Sequence, residues 1–467
     1  MATAATTAAP HVMVLPFPAQ GHVTPLMELS HRLVHRGFEV TFVNTELTHA
    51  LVLDAMGRPA DGAAAGKAQL VDGIRLVCVP DGMADGEDRR DLRKFLDSVM
   101  RCVPGYVEQL IRETKNVKWL VGDVTIGVCF EAARKLGVRV AAVFPASAAC
   151  LGTIFKLPQL IEDGFFDDKG LPKRHGTFDL FPGMPPLCTS QMLWCIDGDA
   201  EGKEVTFQLL SRDSQATSNL AEIVVCNSFR DAEAAAFEMF PNILPIGPLF
   251  AADGELRNKP VGQFLPEDKR CLRWLDEQPD RSVVYVAFGS FTIFNPRQFE
   301  ELALGLELAG RPFLWVVRPD FTAAGVTRAW FDEFQGRVAG KGMVVSWCPQ
   351  QQVLAHRAVA CFVSHCGWNS TMEGVRNGVP FLCWPYFCDQ HMNQSYICDI
   401  WRTGLAVSPG EDGVVVKEEV SSKVKRVVGD QGIAERARAL RDAACRCLGE
   451  GGSSRENFNR FVDLLRE

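Results

Sequence analysis

The segment from Trp347 to Gln390 concentrates more ligand-binding chemistry than any other part of the chain. It reads Trp347-Cys348-Pro349-Gln350, then His356, Ser364-His365-Cys366-Gly367-Trp368-Asn369-Ser370, Glu373, Gly378-Val379-Pro380, Trp384-Pro385 and Asp389-Gln390. Val359–Ser364 has the character of a buried strand, and a helical pattern starts near Asn369, so His365 to Ser370 forms a strand-to-helix turn. Gly367 lets the backbone come close to a ligand. The helix start offers free N–H groups and a positive dipole end, which suit a phosphate. Ser370 adds a hydroxyl donor, and Glu373, one turn on, is placed to accept from ribose hydroxyls. Trp347 supplies a flat face for a base, and Asp389-Gln390 brings together several hydrogen-bonding atoms, as a sugar ring requires. On the residues alone this is a nucleotide or phosphate site, although a plain βαβ crossover shares any single turn of this kind.

A second candidate lies near the start. His22 follows the Pro/Gly-rich turn Pro16 to Gly21, directly after a strand and before a helix. That position suits a general base, though a lone histidine among nine is more often structural. Asp123 also follows a strand end. It reads either as a helix N-cap or as a carboxylate that orients a histidine.

These turns need a framework of parallel strands. His11–Leu15 is a strand; Thr24 can cap the next helix with Pro25 at its first position; Leu26, Leu29 and Leu33 form its buried stripe; residues 38–44 are the next strand. The pattern repeats with strands at 119–121, 138–144 and 223–227, and after a Pro/Gly-rich stretch with strands at 282–288, 313–318, 343–346, 359–364 and 381–384. The chain is therefore expected to be α/β, with two doubly wound parallel sheets whose ligands sit beyond the strands' C-terminal ends. The expected boundaries are residues 1–245 for the first domain, 246–264 for a linker, 265–449 for the second domain and 450–467 for an amphipathic terminal helix bearing Phe458, Phe461, Leu464 and Leu465.

Composition limits the alternatives. A 467-residue chain with 47% hydrophobic and 23% charged residues buries large cores without staples. Its net charge of −8 argues against general nucleic-acid binding. The first residues lack a basic n-region and an apolar h-region, and the longest apolar run, 140–155, is broken by Pro145, so neither a secretory signal nor a membrane span is expected. The sixteen cysteines have no C-x-x-C pair, consistent with reduced thiols in the cytoplasm and no zinc site. No G-x-G-x-x-G follows an assigned strand, which disfavours a dinucleotide oxidoreductase.

The stretch from Trp347 to Gln390 resembles the donor-binding box of plant secondary-product UDP-glycosyltransferases, without a gap or a departure at its defining positions. The resemblance extends to Pro16–Pro25, to Phe288-Gly289-Ser290 and to the linker position. It implies the GT-B architecture, two facing Rossmann-like domains with the site in the cleft and the C-terminal helix packed back on the first domain. It also implies that Trp347 stacks on uracil while the Cys348 backbone bonds its edge, and that Gln350 and Glu373 hold the ribose. Ser290, His365, Asn369 and Ser370, with Gly367 in their turn, are implied to contact the diphosphate, and Trp368, Asp389 and Gln390 the sugar. His22 becomes the catalytic base and Asp123 its orienting partner.

The resulting expectation is an inverting, metal-independent transfer of glucose from UDP-glucose to a hydroxyl or carboxyl of a small hydrophobic acceptor such as a flavonoid or phenylpropanoid. Other UDP-sugars (galactose, xylose, glucuronate) and an inactive nucleotide-sugar binder are the alternatives. In the family Gln390 leans towards glucose and a histidine there towards galactose. Phe17, Phe144, Ser147, Met192, Phe207 and Tyr386 are the expected acceptor contacts. No cofactor or metal is expected, and the chain is expected to be a monomer. Asp197-Gly198-Asp199 matches an Asp-x-Asp metal motif but reads as a solvated loop.

Overall fold

The computed structural model describes residues 9–58, 68–84, 86–89, 91–195, 200–249, 262–318, 326 and 328–467. Asp197, Gly198, Asp199 and most of the expected linker lie outside the described residues.

The first sheet comprises β1 (His11–Leu15), β2 (Glu39–Thr45), β3 (Gln69–Val71), β4 (Ile74–Val79), β5 (Val117–Asp123) and β6 (Arg139–Phe144). A small separate hairpin follows, β7 (Thr177–Phe178) with β8 (Leu187–Cys188), and then β9 (Ile223–Cys226) and β10 (Ile243–Pro245) complete the large sheet. Its order is β10-β9-β6-β5-β1-β2-β4-β3, parallel except for β3. The second sheet comprises β11 (Val283–Ala287), β12 (Phe313–Val316), β13 (Gly342–Val345), β14 (Val359–Ser364), β15 (Phe381–Cys383) and β16 (Gly404–Ala406). Its order, β13-β12-β11-β14-β15-β16, is that of a dinucleotide-binding doubly wound sheet. The fold is therefore the expected α/β pair of Rossmann-like domains.

Strand order fixes where ligands go. In each sheet the winding reverses between two adjacent strands, and the loops leaving them part to open a crevice. In the first sheet those strands are β1 and β5; in the second, β11 and β14. His22 follows β1 and Asp123 ends β5; Gly289-Ser290 follows β11 and His365 follows β14. These four turns therefore sit at the two reversal points, while the turn with Trp347 follows the edge strand β13 and Asp389-Gln390 follows β15.

The long strands match the sequence reading to within a residue or two. β3, β10, β16 and the hairpin were not anticipated; each has two or three residues, too few to show a period. The six-residue β4 was not anticipated either. The first helix also departs. It spans Gln20–His35, begins without a side-chain cap and contains Pro25 in its interior, not at its first position. Thr24, expected to cap it, instead donates to the Gly262 carbonyl at 3.0 Å.

The C-terminal helix Ser453–Arg466 buries Phe458, Phe461, Val462 and Leu465 in the same apolar cluster as Val12, Val14, Leu26 and Leu33 of the first domain. Asn457 Nδ2 donates to the Pro245 carbonyl at 2.9 Å, anchoring that helix beside the edge strand β10. All sixteen cysteines are free thiols.

Candidate active site

His22 lies in the first turn of helix Gln20–His35 and is a quarter exposed. Its Nδ1 faces Asp123 Oδ2 at 2.7 Å. Asp123 is fully buried and serves both readings made of it. Its Oδ1 accepts from the Thr125 N–H at 2.9 Å, capping the 3-10 turn Val124–Cys129, and from the Thr125 hydroxyl at 2.6 Å. Its Oδ2 takes the histidine. Burial pulls the His22 pKa down, but the charge and hydrogen bond of Asp123, helped by the smaller effect of the Asp389 charge, outweigh it and hold the pKa above the usual 6.5. The Asp123 bond keeps the proton on Nδ1 and leaves Nε2 as the basic nitrogen. Phe17 packs on the imidazole, with ring centroids 5.1 Å apart.

On the opposite side, the Gln350 amide gathers the expected ribose site. Its Nε2 donates to Ser370 Oγ at 2.9 Å and Glu373 Oε2 at 2.5 Å, and its Oε1 accepts from the Tyr285 hydroxyl at 2.9 Å. Burial pushes the Glu373 carboxyl up to about 7. The Tyr285 hydroxyl also meets Cys348 Sγ at 3.3 Å, which sets the turn bearing Trp347, and Trp347 itself is half-buried.

His365 is wedged between two glycines. A Cβ placed on Gly289 would stand 2.6 Å from its Nε2, and one on Gly367 would stand 2.5 Å away. Burial pushes the His365 pKa down to about 4, with the Arg318 guanidinium adding to the effect, so the ring is neutral. Arg318 was missed in the sequence, where it looks like a charge ending a strand. It is almost fully buried and donates to the Gly289 carbonyl and, at 2.9 Å, to the Thr292 carbonyl, so it shapes the loop that carries Ser290.

The expected sugar contacts, and Asn369 of the expected diphosphate contacts, are partly occupied by the protein itself. The Trp368 indole is buried, and its Nε1 donates to the Asn227 carbonyl of the first domain at 2.7 Å. Asn369 Nδ2 donates to the Gly21 carbonyl at 2.6 Å. Asp389 Oδ2 accepts from Asn393 Nδ2 at 2.8 Å. Gln390 Oε1 accepts from the backbone N–H of Tyr386 at 2.7 Å and of Phe387 at 3.0 Å.

Of the expected acceptor contacts, Phe17 stands beside His22, Phe144 ends β6, and Ser147 caps helix Ala148–Phe155 by accepting from the Cys150 N–H at 3.1 Å. Met192 and Phe207 are buried within the wall, Phe207 edge-on to Trp194 at 4.9 Å. Tyr386 is exposed and packs at 5.7 Å on Phe387, which faces the exposed Phe291 at 6.4 Å. Neither Phe291 nor Phe387 was singled out from the sequence, because single aromatics in loops carry no period.

Among the described residues, no group of three or more His, Cys, Asp or Glu side chains is placed to hold a metal. Among them, too, no helix is long and apolar enough to cross a membrane.

The profile of the UDP-glucoronosyl and UDP-glucosyl transferase family matches residues 204–441. The chain is 39% identical to UDP-glycosyltransferase 83A1 of Arabidopsis thaliana, over 98% of this chain and 97% of that one. It is 31% identical to linamarin synthase 1 of Manihot esculenta, over 97% and 96% respectively. Among solved structures it superposes on Os79 of O. sativa in complex with UDP with a TM-score of 0.79, at 27% identity, covering 97% of this chain and all of that one. UGT2 of Phytolacca americana, complexed with UDP-2fluoro-glucose and pterostilbene, gives 0.78 at 27% identity, covering 98% and 100%. With two domains facing across the crevice that carries the donor-box residues, and with relatives matched over nearly its whole length, this chain belongs to the UDP-glucoronosyl and UDP-glucosyl transferase family and is a UDP-glycosyltransferase of GT-B fold.

Proposed function

We propose that this enzyme transfers glucose from UDP-glucose, with inversion, to the hydroxyl of a small and largely apolar acceptor. The observation that carries the reading is the His22–Asp123 pair at 2.7 Å, held at one sheet's reversal point while Ser290 and the His365–Ser370 turn occupy the other's. His22 Nε2 takes the acceptor proton, and Asp123 stabilises the imidazolium that forms. The acceptor oxygen bonds to the anomeric carbon from the face opposite UDP. The carbon–oxygen bond to the diphosphate breaks and its electron pair leaves with UDP. The N-terminus of helix Trp368–Asn377, Ser370 and Ser290 stabilise that charge, so no divalent cation is needed.

Trp347 and the Cys348 backbone are proposed to hold uracil, Gln350 and Glu373 the ribose, and Asp389, Gln390 and the backbone at Trp368 the sugar. Glucose is favoured by Gln390 and by relatives named as glucosyltransferases, such as (R)-mandelonitrile beta-glucosyltransferase of Prunus dulcis and 7-deoxyloganetin glucosyltransferase of Gardenia jasminoides. Mandelonitrile presents an alcohol, whereas the pterostilbene in the Phytolacca structure presents a phenol. The acceptor screen should therefore cover alcohols beside flavonoids, phenylpropanoids and carboxylic acids. Incubation with UDP-glucose, read as a mass gain of one hexosyl unit, tests the reading; no product with any class, or products only with another UDP-sugar, would overturn it.

A further inference from the structure

Where the domains meet, two indoles of the second donate to the backbone of one short segment of the first. Trp368 Nε1 reaches the Asn227 carbonyl at 2.7 Å, and Trp401 Nε1 reaches the Ala232 carbonyl at 2.8 Å. Both tryptophans are buried, their rings 6.2 Å apart. Asn369, beside Trp368, uses both ends of its side-chain amide on the first domain. Its Nδ2 donates to the Gly21 carbonyl at 2.6 Å, and its Oδ1 accepts from Asn227 Nδ2 at 3.3 Å.

The Gly21 carbonyl is open to this contact for a reason written in the sequence. In helix Gln20–His35 its partner would be the N–H four residues on, and that residue is Pro25, which has none. The proline leaves a gap in the helix beside His22, and the donor turn of the other domain fills it.

Asn227 is itself fixed. It is fully buried, and its Oδ1 accepts from the Leu249 N–H at 2.8 Å. Farther along the same segment, the buried Glu233 accepts from the Ser228 hydroxyl at 2.5 Å and from the N–H groups of Ala148 and Ala149, both at 2.9 Å. Those two residues begin the helix that Ser147 caps on the acceptor side. The segment from Asn227 to Glu233 thus touches the donor turn, reaches the His22 helix through Asn369, and holds the acceptor-side helix.

We propose that Asn227 is a positioning residue for glycosyl transfer: with Trp368 and Asn369 it sets how far His22 stands from the sugar-bearing turn. The proposal rests on His22 being the base. A misplacement of about 1 Å at a reacting centre costs roughly a hundredfold in rate. The His22–Asp123 bond lies within the first domain and is untouched, and only the smaller contribution of Asp389 from the second domain would weaken, so a change at Asn227 acts mainly on geometry.

The test combines kinetics with small-angle scattering on the full-length enzyme. Asn227→Ala is expected to lower kcat by roughly tenfold to a hundredfold, while the Kd for UDP changes by less than about threefold and the acid limb of the pH profile moves at most slightly to lower pH, as the charge of Asp389 recedes from His22. Its scattering should show a wider interdomain distance distribution. Trp401→Phe keeps the ring beside Trp368 and removes only the N–H; it should shift kcat and scattering in the same direction, by a smaller amount. It serves as the readout if Asn227→Ala does not fold. Folded variants with kcat within twofold of wild type and unchanged scattering would overturn the proposal. So would a loss of UDP affinity equal to the loss of kcat, because the segment would then support the donor site alone. His22→Ala, run in parallel, judges the base assignment separately: full activity there would remove the catalytic reading of the clasp, while scattering would still report on the clasp itself.

Discussion

The imidazole of His22 and the carboxylate of Asp123, 101 residues apart in the chain, meet at 2.7 Å because β1 and β5 are neighbours in the first sheet. The bond fixes the tautomer and raises the His22 pKa above 6.5. A general base works in its neutral form, so kcat/KM should rise with pH through a limb above 6.5. His22→Ala should bind UDP normally and lose roughly a hundredfold to ten-thousandfold in turnover. Asp123→Asn removes the negative charge and presents an N–H to Nδ1; turnover should fall and the limb should move to lower pH. A pH–rate profile of the three proteins decides, and a limb that stays put in Asp123→Asn would contradict the assignment.

Gly289 has φ of +67°, a conformation that side chains rarely adopt, and an added Cβ would stand 2.6 Å from His365 Nε2. Gly289→Ala should therefore push the imidazole out of its slot and displace the loop carrying Ser290. We expect at least a tenfold rise in the Kd for UDP, an effect of about 1.4 kcal/mol, with the His22 limb unchanged. Calorimetric titration with UDP measures it; unchanged affinity would show that the His365 slot does not shape the donor site.

How much of this was legible beforehand follows from the physics of each element. The strands that carry the site, such as Val283–Ala287 and Val359–Ser364, are continuous apolar runs, and their turns hold glycine beside polar residues, so both stand out locally. Partners joined only through the fold left no such trace. Asn227, Tyr285, Arg318 and Asn393 look ordinary in sequence; the contact of Asn227 crosses the domains, and those of the other three join separate elements of the second domain. Trp368 shows the converse: its place in the donor box suggested a sugar contact, but its indole N–H is committed to the Asn227 carbonyl. Phe207 was read as a pocket wall from its aromaticity, which serves equally well for packing on Trp194.

Diphosphate charge is proposed to be met by helix-end N–H groups and hydroxyls, not by a cation. Activity should then survive prolonged EDTA treatment within about twofold and gain nothing from added magnesium or manganese. Loss in EDTA with recovery on adding metal would reverse this and direct attention to Asp197 and Asp199.

Asp213, on helix Ala200–Leu220, is buried; its Oδ1 accepts from the Val128 N–H at 3.1 Å, and its Oδ2 has no partner among the described residues. Burial raises its pKa to about 7, from 3.8. An acid whose pKa is higher when folded keeps its proton in the native state over a range where the unfolded chain has released it. Stability therefore falls as pH rises from about 4 to about 7. Each unit is worth about 1.4 kcal/mol, so the group can account for a few kcal/mol at most. Asp213→Asn, which keeps the bond to Val128, should flatten the decline in melting temperature over that interval. An unchanged slope would assign the decline to other buried carboxyls such as Glu373.

The last prediction separates two roles that Gln390 combines. Its Oε1 accepts from the N–H groups of Tyr386 and Phe387 and so holds the loop after β15. That leaves Nε2 as the group with which to donate to a sugar hydroxyl, next to Asp389, whose carboxylate accepts. An equatorial 4-hydroxyl and an axial one cannot both satisfy a pair fixed in this way. Leaving a buried polar group unpaired costs about 1–3 kcal/mol. UDP-glucose should thus exceed UDP-galactose by roughly tenfold to a hundredfold in kcat/KM. Gln390→Glu keeps an acceptor for the two loop N–H groups but replaces the donating nitrogen with oxygen. It should lose glucose transfer while the two loop bonds remain, with some loss of melting temperature from a second carboxyl, buried at this position, beside Asp389. Gln390→His cannot accept from both N–H groups; it should weaken glucose transfer, narrow the donor gap and lower the melting temperature slightly. Donor competition assays on the three proteins with one accepted hydroxyl substrate decide the point. If Gln390→Glu uses UDP-glucose as well as wild type does, Gln390 holds the loop and does not read the sugar.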